Sequence, residues 1–186
     1  MRDSGQETGR GAWKSPSISS TGPRPVALPE IQASNTRRLT TPDGELNRVL
    51  GGGIVSGSLV LIGGQPGIGK STLLLQLATR LPAKVLYVSG EESEEQIKMR
   101  ADRIGGQASQ CYVLTETNVT KICTYAQDLE PDLLIADSIQ TLSVPFIDAM
   151  PGSISQVREC AGELQRFAKT TNIPVFIIGH ITKDGA

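Results

Sequence analysis

The chain has 186 residues, 38% of them hydrophobic and 20% charged, which is the composition of a single folded domain outside the membrane. Its 18 basic and 19 acidic side chains give a formal net charge of −1, so nucleic-acid binding would need a local basic patch. Three widely separated cysteines exclude a disulfide framework and predict no zinc site. No apolar run is long enough for a membrane span or a secretory signal, which favours a cytoplasmic protein.

The first 36 residues are rich in Ser, Gly, Pro, Thr and Arg and show almost no apolar periodicity. Such a segment cannot bury enough surface to offset the entropy of ordering it. We therefore expect a flexible tail over 1–36 and a folded core over 37–186. Basic residues of this tail and of the positions directly after it, Arg37 and Arg38, could touch nucleic acid, but a solvated linker is the favoured interpretation.

From residue 40 onward the sequence predicts alternating helices and strands. Apolar, β-branched runs predict strands over 59–62, 84–89, 111–114, 132–137 and 175–180. Helical spacing predicts a short helix ending near residue 50 and longer helices over 72–78, 94–104, 119–129 and 154–170. The predicted helix caps are Thr41 or Asp43, Ser93, Asn118 and Ser153.

Near-continuously hydrophobic strands that alternate with helices predict an α/β fold with a mostly parallel sheet covered on both faces. Ligands of such sheets bind at the carboxyl ends of the strands. This rule places residues 64–71, Glu91, Asp137 and His180 at one edge of the sheet.

A phosphate-binding loop connects the first of these strands to its helix. Residues 64–71 fit G-x-x-x-x-G-K-[ST], and the strand before and the helix after supply the context that this motif requires. The glycines allow backbone angles that are closed to other residues, and they let phosphate approach the main chain closely. The Lys70 ammonium would reach the β and γ phosphates, and the Ser71 hydroxyl would bind Mg²⁺. The predicted nucleotide-binding residues are Gly64, Gln65, Pro66, Gly67, Ile68, Gly69, Lys70, Ser71 and Thr72.

Carboxylates follow two other strands. Asp137 ends an apolar strand, which is the Walker B pattern for a Mg²⁺-binding carboxylate. Glu91 and Glu92 follow the strand over 84–89, and either could orient or deprotonate the attacking water; Glu91 follows it more directly and is preferred. A solvated acidic turn is the alternative interpretation.

Polar side chains near the same edge could sense the γ-phosphate. The candidates are His180, Thr182 and Lys183, although a histidine at a strand end is often only structural. Gln140 follows Asp137 by three positions and could relay the nucleotide state to the loop over 142–152. These roles are hypotheses.

Six blocks of sequence together resemble the RadA (Sms) family of bacterial DNA-repair ATPases, which have a RecA-like core. The resemblance runs from about residue 37 to the last residue. The blocks are LGGGIV (50–55), GSLVLIGG (57–64), LYVSGEES (86–93), DSIQT (137–141), PGSISQVREC (151–160) and GHITKDGA (179–186).

This resemblance implies a RecA-like P-loop NTPase core, incomplete at its C-terminus, that binds ATP and Mg²⁺ and hydrolyses ATP. Family members are expected to form a homo-oligomer, a hexameric ring on single-stranded or branched DNA, and to drive branch migration in recombinational repair, with a recombinase as a further candidate partner. By position, Glu91 matches the water-activating glutamate and Lys70, Ser71 and Asp137 match the phosphate and magnesium residues. The segment 142–158 matches a DNA-facing loop, and Arg158 is the cation carried over, although a helix-surface salt bridge is its simpler interpretation.

The sequence also departs from the family pattern. The four cysteines of the family's N-terminal zinc module are missing, so residues 11–15 are interpreted as the end of that module and no zinc is expected. Gln65 and Asn47 stand where the family commonly has Asp. Two alternatives stay open, a RecA-like module in which ATP regulates assembly without DNA motor activity, and an inactive remnant of a longer protein.

Overall fold

The computed structural model describes residues 24–31, 38–105 and 110–180. The chain divides into two units, 1–35 and 36–186. In the first unit, the described residues contain one 3-10 turn, Leu28–Glu30. Most of the predicted tail lies outside the described residues, and its flexibility stays a prediction.

The second unit contains a two-stranded antiparallel ribbon and a five-stranded parallel sheet. The strands are β1 (Arg38–Leu39), β2 (Ile54–Val55), β3 (Leu59–Gly64), β4 (Val85–Ser89), β5 (Cys111–Thr115), β6 (Leu133–Asp137) and β7 (Val175–His180). The helices are α1 (Gly44–Val49), α2 (Lys70–Arg80), α3 (Glu94–Ile104), α4 (Val119–Leu129) and α5 (Ile154–Thr171). A 3-10 turn, Ile139–Thr141, follows β6.

Two hydrophobic clusters cover the two faces of the parallel sheet. Successive side chains of a strand point to opposite faces. Val85 and Tyr87 of β4 pack in a cluster with α2 and α3, whereas Leu86 and Val88 pack in a cluster with α4 and α5. The predicted α/β fold, with helices on both faces of a parallel sheet, is confirmed, and it is the architecture of a RecA-like P-loop core.

Four helices begin where the sequence predicts a capping side chain. Asp43, Ser93, Asn118 and Ser153 each accept hydrogen bonds from backbone N–H groups in the first turn of the following helix. At the first helix the cap is Asp43, while the Thr41 hydroxyl donates to the Asp43 carbonyl at 3.0 Å. The predicted starts of α3, α4 and α5 are therefore confirmed.

The strand order places distant parts of the chain at one edge of the sheet. The order is β3-β7-β6-β4-β5, and Gly64 pairs in register with His180 while Ser89 pairs with Asp137. Neighbouring strands lie about 4.8 Å apart. The carboxyl ends of the sheet thus present, side by side, the phosphate loop after β3, His180 on β7, Asp137 on β6 and Glu91 just after β4.

The start of the core differs from the prediction in one respect. The sequence predicts no strand before residue 59, but Ile54–Val55 pairs with Arg38–Leu39 as β2. The Arg38 guanidinium donates to the carbonyls of Leu50 and Gly53 at 3.0 and 3.2 Å. Arg38 therefore holds the ribbon against the segment after α1, and its contact with nucleic acid stays a hypothesis.

Candidate nucleotide site

The loop over 64–71 connects β3 directly to α2. Gly67 and Gly69 have φ values of +79° and +94°, a region that side chains with a Cβ rarely adopt, as expected of a phosphate loop. Gly64 does not: it ends β3 without a positive φ. A Cβ there would lie 2.6 Å from Ile68 Cδ1, the end of an exposed side chain that can turn away, so neither space nor backbone angle requires glycine at this position.

The N-terminus of α2 is open to a ligand. Gly69 precedes it in the left-handed conformation and offers no capping side chain, whereas α1, α3, α4 and α5 are all capped by side chains. The first N–H groups of a helix have no partner within the helix, and the helix dipole favours an anion beside them. Ser71 and Thr72 lie in this first turn.

The Lys70 side chain folds back over the loop. Its ammonium donates to the carbonyl oxygens of Gly64 and Gln65 at 2.9 and 2.8 Å, and only 6% of the residue is exposed. A lysine held by its own loop carries positive charge beside backbone N–H groups of the same loop. This arrangement is suited to the oxygens of a di- or triphosphate.

Asp137 lies at the end of β6 with 8% of its surface exposed. Its Oδ2 atom accepts a hydrogen bond of 2.6 Å from the Tyr87 hydroxyl and lies 4.0 Å from Arg100 Nη2. The other oxygen, Oδ1, accepts no hydrogen bond from the described residues. One oxygen of this carboxylate is therefore fixed and the other is left for a ligand.

The two neighbouring glutamates have different surroundings. Glu91 accepts a 2.9 Å hydrogen bond from the Ser138 hydroxyl, and its Oε1 lies 3.9 Å from His180 Nε2. Glu92 lies 2.7 Å from Arg100 Nη2 in an ion pair. Glu91 therefore faces the ends of β6 and β7, whereas Glu92 is engaged by α3.

Gly90 brings the Glu91 turn close to the segment after β6. Its N–H donates to the Asp137 carbonyl at 3.1 Å, and a Cβ at Gly90 would lie 2.2 Å from Thr141 Oγ1. Only glycine fits this approach without displacing Thr141. The peptide bond between Asp137 and Ser138 is cis.

The two candidate sensors contact each other. Gln140 Nε2 donates to the His180 carbonyl at 3.2 Å, and neither Gln140 Oε1 nor His180 Nδ1 has a hydrogen-bond partner among the described residues. Gln140 thus bridges the ends of β6 and β7. Thr182 and Lys183, the other sensor candidates, lie outside the described residues.

The loop over 142–152 is anchored by Gln156 of α5. This buried amide donates to the carbonyls of Val144, Ile147 and Ala149 at 3.0 to 3.3 Å and accepts from Val144 N–H at 2.9 Å. This one side chain therefore makes four hydrogen bonds to the backbone of the loop, in addition to the backbone bonds that the carbonyls of Val144 and Ile147 accept.

The surface beside this anchor combines apolar side chains with one cation. Phe146, Met150 and Ile154 are 62%, 81% and 77% exposed. Arg158 is exposed on α5, and no carboxylate of the described residues pairs with it, since Glu159 pairs with Arg166 instead. The helix-surface salt bridge that was the simpler interpretation of Arg158 is therefore absent from the described part of the chain.

Sequence reasoning missed several residues that organise this site. Tyr87, Arg100, Ser138 and Gln156 are polar side chains that act through partners remote in the sequence, such as Asp137 for Tyr87. The one available signal was the alternation of β4, which puts Tyr87 on the same face as Asp137 once the strands are paired in register.

Over the three described ranges, no group of three or more His, Cys, Asp and Glu side chains is arranged to hold a metal ion. The expectation of no zinc is left untested by this. In the same ranges, the helices are all too short or too polar to cross a membrane.

Fold and loop together define a RecA-like P-loop protein of the α/β class. A family model described as "AAA domain" matches residues 23–186, and the chain belongs to that family. The chain is also similar to curated proteins named DNA repair protein RadA.

Three of these relatives show the extent of the similarity. The chain is 53% identical to the protein of Streptococcus pneumoniae over 176 residues, 92% of this chain and 42% of the relative. It is 52% identical to the proteins of Bacillus subtilis and Halalkalibacterium halodurans over 166 residues, 88% of this chain and 36% of each relative. The chain therefore spans about two fifths of the length of the curated relatives that it matches.

Proposed function

We propose that the chain binds ATP with Mg²⁺ at the loop over 64–71 and hydrolyses it. The observation that carries this proposal is the uncapped N-terminus of α2, which follows two glycines of positive φ and the Lys70 ammonium. The other four α-helices have side-chain caps, and α2 has none. This difference supports the binding of an anionic ligand at the N-terminus of α2.

The donor atoms at the edge of the sheet fit Mg²⁺. This ion prefers oxygen ligands and usually keeps waters and substrate phosphates in its coordination sphere, so two protein oxygens suffice. The Ser71 hydroxyl in the first turn of α2 and Asp137 Oδ1 would hold it. When bound with the nucleotide, Mg²⁺ neutralises charge that develops on the phosphate oxygens.

Glu91 is the proposed group that orients or deprotonates the attacking water. Its side chain is 52% exposed at the edge where Asp137 and His180 end their strands, and the Ser138 hydroxyl fixes one of its oxygens. Lys70 would stabilise the charge of the transferred phosphoryl group. Gln140 and His180, joined by a hydrogen bond, would report the nucleotide state to the loop over 142–152.

We further propose that this ATPase acts on single-stranded or branched DNA in recombinational repair, by branch migration and as a hexamer, in the bacterial cytoplasm and with a recombinase as a candidate partner. The names of the relatives support a role in DNA repair. Arg158, which pairs with no carboxylate in the described part of the chain, and the exposed Phe146 support a DNA-facing surface, because a cation contacts phosphates and an aromatic ring stacks on bases.

The second candidate function is an assembly module regulated by ATP. The exposed apolar side chains Phe146, Met150 and Ile154 favour it, because an apolar patch also fits a protein partner. In this alternative, nucleotide would change the association of protein subunits, and DNA would have no effect on turnover.

Steady-state ATP hydrolysis with Mg²⁺, measured with and without single-stranded DNA, separates the two. The DNA motor predicts turnover that DNA accelerates, with the acceleration reduced in Arg158→Ala. The assembly module predicts turnover indifferent to DNA, together with a particle mass that rises when ATP is added. Turnover that Lys70→Ala leaves unchanged would contradict both, because it could not come from this site.

A further inference from the structure

We propose that Tyr87 and Arg100 are positioning residues that fix one oxygen of Asp137 and leave the other directed at the magnesium of a bound nucleotide. This inference rests on the proposed function and adds two residues to its site. It is carried by a chain of contacts that runs from the half-buried Glu92 and Arg100 to the buried Tyr87 and Asp137.

Tyr87 is placed by the pairing of two central strands. It lies opposite Ile135, two residues before Asp137 on β6, and its side chain and that of Asp137 point to the same face of the sheet. The ring is 0% exposed among the apolar residues of the cluster with α2 and α3. A phenylalanine would fill this space as well, so the hydroxyl is explained by its 2.6 Å hydrogen bond to Asp137 Oδ2.

Arg100 of α3 determines which way the tyrosine proton points. Its Nη2 atom donates to the Tyr87 hydroxyl oxygen at 3.2 Å. A phenol has one proton to give and an arginine accepts none. The Tyr87 proton is therefore left for Asp137, and the bond between them has one direction.

The electrostatics keep this arrangement intact. An ordinary phenol keeps its proton at neutral pH, so the Tyr87 hydroxyl is a donor there. Arg100 lies 2.7 Å from Glu92 Oε2 and 4.0 Å from Asp137 Oδ2, so one cation compensates two carboxylates. A buried charge needs such a partner to remain ionised.

The consequence concerns the free oxygen of Asp137. With Oδ2 held by Tyr87, the carboxylate cannot rotate without breaking a buried hydrogen bond, and Oδ1 keeps one orientation. A ligand that is already oriented binds a metal without first reorganising. Loss of such supporting contacts commonly weakens metal sites by about 10- to 100-fold.

The test compares Tyr87→Phe with Tyr112→Phe, the same change at an exposed tyrosine of β5. Binding of a fluorescent ATP analogue is titrated with Mg²⁺ and, separately, with excess EDTA. We expect Tyr87→Phe to raise the Mg²⁺ concentration for half-maximal binding by about tenfold or more. Its affinity without Mg²⁺ should match the parent, and Tyr112→Phe should match the parent in both conditions.

Two further variants exclude a purely structural explanation. In an Asp137→Asn background, Tyr87→Phe should cause no additional change in Mg²⁺ dependence, because its effect passes through Asp137. Arg100→Gln should shift Mg²⁺ dependence in the same direction as Tyr87→Phe, whereas Arg103→Gln, an exposed arginine of the same helix, should not.

The outcomes separate this inference from the proposed function. If the parent binds the analogue in a Mg²⁺-dependent way and Tyr87→Phe has the same Mg²⁺ dependence, the positioning role is wrong and the site stands. Equal losses of affinity with and without Mg²⁺ would also overturn it, since a general loss of structure acts in both conditions. A parent chain that binds no nucleotide would overturn both.

Discussion

Glu91 and Glu92 are adjacent residues of the same type, but their side-chain contacts differ, and these contacts indicate different roles. Both follow β4, and the sequence favours Glu91 by its place directly after the strand and by the family resemblance. In the structure Glu92 pairs with Arg100, whereas Glu91 contacts Ser138 and faces His180. A water-activating group must be free to meet the water, so these contacts support the proposed role of Glu91 over Glu92.

We predict that Glu91→Gln keeps nucleotide affinity while it slows turnover by about 10²- to 10⁴-fold, because an amide cannot take a proton from water. Single-turnover hydrolysis and equilibrium binding of ATP measure the two effects separately. Glu92→Gln is the matched control and should lose much less turnover. If Glu92→Gln has the larger loss instead, the assignment of the base passes to Glu92.

At the scale of elements, the helix starts could be predicted because capping is local. Ser93 and Gln96 lie three residues apart, and the side chain of each accepts a hydrogen bond from the backbone N–H of the other, so the sequence itself contains both partners. The phosphate loop is local in the same sense. The strand order β3-β7-β6-β4-β5, the β1–β2 ribbon and the Tyr87–Asp137 bond join residues far apart in the chain, and the sequence pattern contained no direct signal for them.

Gln156 gives a prediction about the loop over 142–152. Gln156→Ala would leave the carbonyls of Val144, Ile147 and Ala149 without this donor, so we expect the free energy of unfolding to fall by about 1–3 kcal/mol. In the parent, the Val144 N–H donates a hydrogen bond to Gln156 Oε1. Without this bond, the Val144 amide hydrogen of the variant should exchange with solvent faster than in the parent. Hydrogen exchange and chemical denaturation measure the two effects.

Gln165→Ala is the control for this prediction, because Gln165 is exposed on the same helix. It should change stability by no more than about 0.5 kcal/mol. Equal effects of the two substitutions, or an unchanged exchange rate at Val144, would show that Gln156 does not anchor the loop.

At the scale of the whole molecule, the pKa values of the three cysteine thiols depend on how far each thiol is buried in the core. Burial raises the pKa of the Cys111, Cys123 and Cys160 thiols from 9.0 to about 11. A thiol whose folded pKa is raised favours the folded state below pH 9, and this contribution is lost as the pH rises from about 9 toward 11.

Alkylation by iodoacetamide tests this prediction, since only the thiolate reacts. In the folded protein the alkylation rate should rise with a midpoint near pH 11, and in the unfolded protein near pH 9. Modification of a folded-state thiol with a midpoint at or below pH 9 would contradict the burial of that cysteine.

The central claim is that the loop over 64–71 binds the phosphates of ATP, and isothermal titration of the chain with ATP and Mg²⁺ tests it most directly. Lys70→Ala removes a charged donor, typically worth about 1.5–3 kcal/mol, so the dissociation constant should rise by about 10- to 150-fold. Lys169→Ala, an exposed lysine of α5, should bind as the parent does. If Lys70→Ala binds ATP as tightly as the parent, the phosphates do not lie at this loop and the account is wrong.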